Sequence, residues 1–129
     1  MSLLSELRAA TKGLLFLSES DAPLKPFVWK GTTIDSAAAL LTYLKKDVTT
    51  PVQEVTLEKF FAPMSTPQDW DDDEAKADRA RFQALVAQLA ALTDTRVFRL
   101  GSGPEITVYV IGKTPDGSTA GVSTILTET

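Results

Sequence analysis

Apolar positions fall into two rhythms along the chain. Up to about residue 92 they recur mostly at helical spacing, and after Asp94 they alternate with period two. Residues 2–12 predict a helix: Ser2 can cap it, Leu3, Leu4 and Leu7 form a stripe, and Gly13 can take the left-handed position past its end. "LLFL" at 14–17 predicts a short buried strand or an apolar entry to a turn. "SESDAP" at 18–23 predicts turn chemistry, and "FVWK" at 27–30 a strand closed by Gly31.

A second helix is expected over 35–46, capped by Asp35, with Ala37, Leu40, Leu41 and Leu44 at i, i+3, i+4 and i+7. Lys45 and Lys46 suit its negative end. "PVQEV" at 51–55 alternates as an edge strand does, with proline tolerated at its start. Thr56 then caps a short helix, "LEKFFA".

The longest helical pattern covers about 72–92, where Phe82, Leu85, Val86, Leu89 and Leu92 recur at helical spacing behind an acidic first turn. Strands are expected at 96–100, 106–112 and 119–128, joined by the turns "GSGPE" and "KTPDGS". Short links between strands imply antiparallel neighbours. The expected fold is a single α+β domain spanning 1–129, with a mainly antiparallel sheet.

Composition narrows the chemistry. The 129 residues include no cysteine and no histidine, which excludes disulfides, thiolate metal sites and imidazole proton transfer. Ser18, Ser20 and Ser123 have no histidine to activate them, no lysine or tyrosine is singled out as a base, and no nucleophile elbow surrounds them. "GSG" at 101–103 has neither the strand, the helix nor the spacing of a phosphate loop and reads as a hairpin turn. No cofactor is implied, and an enzyme is disfavoured. The opening "MSLLSELRAATKG" shows no secretory leader, and no stretch has membrane-spanning length, so a soluble cytoplasmic protein is expected.

The net charge of −4 is unevenly placed. "DWDDDEAKAD" at 69–78 carries six acids against one lysine, a local −5, leaving the rest of the chain near neutral. That argues against a nucleic-acid ligand, which calls for basic stripes, and suits a cationic protein partner. Asp71, Asp72 and Asp73 are consecutive, so they point different ways around a helix start and lack the alternation of a calcium loop. Trp70 has two readings. It can fold back on the following helix as a staple, although only Ala75 stands where its partner would be, or it can anchor a protein interface. Trp29, in an alternating strand, reads as core.

Together, "GLLFLSESDAP", "FVWKG", "STPQDW", "VFRLG", "VYVIGKTPDG", "AGVST" and the terminal "TET" resemble the nuclease A inhibitor family, in order from about residue 12 to the last residue. The resemblance implies an α/β/α sandwich with helices on both faces of the sheet. It implies a non-catalytic, monomeric protein that blocks the cleft of a sugar-nonspecific, magnesium-dependent nuclease. It also assigns roles: Glu19, Gln68 and Trp70 contact the nuclease, and the terminal Thr129 reaches its catalytic metal. Asp69, Asp71, Asp72 and Asp73 would add electrostatic support. A hard metal in a cationic cleft calls for oxygen ligands and negative charge, which these residues offer. Two rivals remain open: an interaction module of the same fold with a non-nuclease partner, and a small enzyme working through carboxylates alone.

Overall fold

A computed structural model describes residues 2–17 and 21–127. Eleven elements follow in order: α1 (Leu3–Thr11), β1 (Leu15–Leu17), β2 (Asp21–Pro23), β3 (Lys25–Trp29), α2 (Ala37–Tyr43), β4 (Val52–Val55), α3 (Leu57–Ser65), α4 (Asp73–Ala90), β5 (Thr93–Leu100), β6 (Glu105–Lys113) and β7 (Thr119–Thr127). Five strands form an antiparallel sheet in the order β3-β7-β6-β5-β4, and β1 and β2 pair separately as a small antiparallel hairpin.

The period-two alternation of the last third builds the centre of this sheet. Each residue of β6 from Glu105 to Lys113 stands opposite one of β7, from Thr127 back to Thr119. Val97, Val108, Val110 and Val122 point to one face, while Phe98, Leu100 and Ile111 point to the other. Both edges are blunted against further pairing: β3 carries Pro26, and β4 follows Pro51 and exposes Glu54.

The first face is covered by α1, α3 and α4. Leu7, Phe61, Phe82, Leu85 and Leu89 are buried there against the sheet valines. A phenylalanine cluster ties the helices to the hairpin. Phe16 of β1 stacks on Phe60 at 4.6 Å and meets Phe61 and Phe82 edge-on at 6.0 and 6.4 Å. The second face is covered by α2 alone, through Leu40 and Leu41 with Ile34. Helices therefore lie on both faces of the sheet, and the fold is α+β.

Several boundaries differ from expectation. Ser36, not Asp35, caps α2: its Oγ accepts from the Ala39 N–H at 3.0 Å. The helix stops at Tyr43, and Lys45 takes a left-handed φ of 57° that ends it. The lysines thus lie beyond the helix and not in its last turn. Residues 21–23 are strand, because pairing with β1 outweighs their turn composition. β3 begins at Lys25, drawn into register by Ser123 of β7. α3 runs through Pro63 to Ser65. β5 starts at Thr93, with an irregularity in its pairing between Thr93 and Arg96. Trp29 is half-buried, not core: its ring stacks between Phe27 at 4.3 Å and Tyr43 at 4.4 Å.

Candidate functional site

The segment from Thr66 to Asp72 links α3 to α4, and four side chains shape it. Asp72 caps α4 by accepting from the Ala75 N–H at 2.8 Å. Asp71 turns inward, its side chain only 3% exposed. Its Oδ2 accepts from Arg79 Nε at 2.7 Å and from the Gln68 N–H at 3.0 Å, and its Oδ1 accepts from Arg79 Nη2 at 3.3 Å. Arg79 Nη1 also donates to the Pro63 carbonyl at 2.9 Å. One turn further along α4, Gln83 Nε2 donates to the Ser65 carbonyl at 2.8 Å.

Two α4 side chains therefore fasten the end of α3 and the loop after it. The guanidinium and the Gln68 amide hold the Asp71 carboxyl below its ordinary pKa. Asp71 was expected among the partner-facing acids. In the structure its oxygens are committed to Arg79 and Gln68, so it positions the loop.

With Asp71 drawn in, its neighbour is driven out. Trp70 is 80% exposed, so the staple onto α4 does not form. Gln68 is half-buried, and its Nε2 donates to the Thr66 carbonyl at 3.3 Å. Asp69, Asp72, Asp73, Glu74 and Asp78, in the same stretch of chain, are exposed as well. Among the described residues, no group of three or more acids is placed to hold a metal ion.

Two further segments converge on this end. Leu17, the last described residue before the hairpin tip, donates its N–H to Met64 Sδ at 3.4 Å and lines a hollow with Ala75 and Arg79. The end of β7 is close by: Leu126 shares another hollow with Phe16, Phe60 and Pro63. Pro63, which lines this second hollow, is the residue whose carbonyl Arg79 holds. Glu19 and Thr129 themselves lie outside the described residues.

The model of the family described as nuclease A inhibitor-like protein matches residues 1–129, the full length of the chain. The chain belongs to this family. Membership points to a nuclease inhibitor role and to a non-catalytic protein. A comparison with the curated proteins gives no match.

In this nuclease A inhibitor-like protein, the arrangement presents an exposed indole on a braced loop, in an acid-rich stretch of chain. The sequence reading missed Arg79 and Gln83, which provide the bracing. Asp71 and Arg79 stand eight residues apart, roughly two helical turns. That spacing was a usable signal, hidden because Asp71 precedes the helix.

Proposed function

We propose that this protein is a cytoplasmic monomer that inhibits a sugar-nonspecific, magnesium-dependent nuclease by seating its Trp70 end in the active-site cleft. The supporting observation is the braced exposure of Trp70, beside acids and next to the segments that lead to Glu19 and Thr129. The loop that carries the indole is already held by Arg79 and Gln83, so its backbone need not be ordered on binding. Gln68 flanks it, and Asp69, Asp72 and Asp73 steer a cationic cleft into encounter. Glu19 supplies a carboxylate toward basic groups near the metal. Thr129 supplies a hydroxyl and a terminal carboxylate, hard oxygens matched to the nuclease's Mg²⁺.

The test is titration of a sugar-nonspecific, magnesium-dependent nuclease of the same organism with the wild-type protein and with a chain lacking Thr129. Stoichiometric inhibition that weakens at least about 100-fold on deletion is the expected result, given how strongly buried charge-paired contacts couple. Absence of inhibition by the wild type rejects the function. Undiminished inhibition by the shortened chain rejects metal contact by Thr129.

A further inference from the structure

Between β1, the end of α3 and the first half of α4 lies a notch of about 110 Å³, lined by Leu17, Met64, Ala75, Asp78, Arg79 and Phe82. It is smaller than the ~150 Å³ cavity that admits benzene and far below the roughly 300 Å³ where ligand pockets begin, so a cofactor or substrate does not fit. One side chain does. The floor is apolar: Phe82 is buried, Met64 and Ala75 are half-buried, and Leu17 stands 51% exposed at the mouth. Such a lining offers water few partners, so an alkyl stem displaces solvent favourably.

The charge on the wall selects the occupant further. Arg79 has spent its guanidinium on Asp71 and the Pro63 carbonyl. Asp78 is exposed, and no described residue hydrogen-bonds or ion-pairs with its carboxylate. It stands inside the segment whose local charge is −5. The notch therefore presents an apolar floor under an uncompensated negative rim. Lysine and arginine side chains match that combination, because they bury an aliphatic stem and keep a cationic head at the surface.

We infer that this notch receives one lysine or arginine side chain of the inhibited nuclease, its stem on Leu17, Met64 and Phe82 and its head on Asp78. The inference rests on the nuclease-inhibitor reading and adds to it a specificity-determining residue, Asp78, alongside Trp70.

The experiment measures association and dissociation rates of the same nuclease with the wild type, Asp78→Asn, Asp78→Lys and Leu17→Ala, at low and moderate salt. Asp78 lies past the first turn of α4 and Leu17 is half out of the fold, so all three variants are expected to fold, as circular dichroism will verify. Asp78→Asn is expected to weaken binding about tenfold and to reduce its salt dependence, with Asp78→Lys weaker still. Leu17→Ala is expected to speed dissociation severalfold. Alanine substitution of one cationic residue at the nuclease cleft should abolish the effect of Asp78→Asn, as coupled residues do. Wild-type affinity in Asp78→Asn overturns the inference, and a loss confined to Leu17→Ala assigns the notch to an uncharged side chain and overturns it equally. Failure of the wild type to bind rejects the inhibitor function, and the inference with it.

Discussion

Arg79 grips both carboxylate oxygens of Asp71, Nε to Oδ2 at 2.7 Å and Nη2 to Oδ1 at 3.3 Å, and so holds the residue beside Trp70 against α4. A planar fork is required for a two-point grip, and a third donor on Pro63 fixes the fork itself. Arg79→Lys should therefore resemble Arg79→Ala more than the wild type. Both variants are expected to keep the fold, to lower inhibitory potency about tenfold or more, and to increase the mobility of the Trp70 ring. Time-resolved anisotropy in a Trp29→Phe background checks the last point. Unchanged anisotropy in Arg79→Ala would show that the loop is held by other contacts.

Acid should release this loop. The Arg79 and Gln68 hydrogen bonds depress the folded-state pKa of Asp71 below its unfolded value of about 3.9. Their stabilisation is thus complete above that value and disappears as pH falls through the lower, folded-state pKa. Asp47 and Asp116 are also depressed, by hydrogen bonds from Thr49 and from Thr114 and Ser118, so the protein keeps an acid limb without Asp71. Asp71→Asn should make that limb shallower below about pH 4 while barely changing the slope near pH 7. Urea midpoints measured across pH 2–7 test this, and identical profiles would contradict it.

Trp70→Ala separates binding from folding. An indole so exposed contributes little to the folded state, so stability should change by less than about 0.5 kcal/mol. Loss of a central aromatic anchor should cost about 2–4 kcal/mol of binding. Emission from the wild type should carry a red component, readily quenched by acrylamide, that disappears in the variant and leaves the half-buried Trp29. A large fall in melting temperature would mean that the indole supports the fold.

Gly121 allows the sheet to close. A Cβ there would stand 1.8 Å from the Val110 carbonyl oxygen, a main-chain atom in the central strand β6. No rotamer relieves such a clash, and the strand must shift. Gly121→Ala is expected to cost about 3 kcal/mol or more, visible in the urea midpoint. Gly121 sits within "AGVST", where sequence alone marks it only as a glycine in a strand.

Phe61→Ala should cost about 3–5 kcal/mol, because the ring is fully buried and touches Phe16, Phe60 and Phe82. Since that cluster seats the hairpin as well as α3, hydrogen exchange in β1 should accelerate along with exchange in α3. Exchange confined to α3 would show that the hairpin is held independently.

Much of the framework was legible from local rules. β5 to β7 were readable because one face of the sheet is packed under three helices and the other is only partly covered by α2, which leaves a period of two along much of each strand. α4 was readable because Phe82, Leu85 and Leu89 repeat on one face. Thr56 was readable as a start because a capping side chain acts within three residues of itself. The same locality explains the misplaced start of α2. Asp35 and Ser36 are adjacent capping types, and sequence offers no means to choose between them.

Periodicity and short-range capping thus determined the four helices, the strands of the main sheet and the α+β class from the sequence itself, but not the β1–β2 hairpin. The acid concentration around Trp70 was equally a property of the chain order. Only the tertiary structure decided that Asp71 points inward, that Trp70 points to solvent, and that Leu17, Met64, Asp78 and Leu126 gather at the same end. The physical reason is separation along the chain. Arg79 reaches Asp71 across a non-helical loop, and Leu17 meets Met64 across 47 residues. Contacts of that kind depend on how whole elements pack, and no local period or cap encodes them.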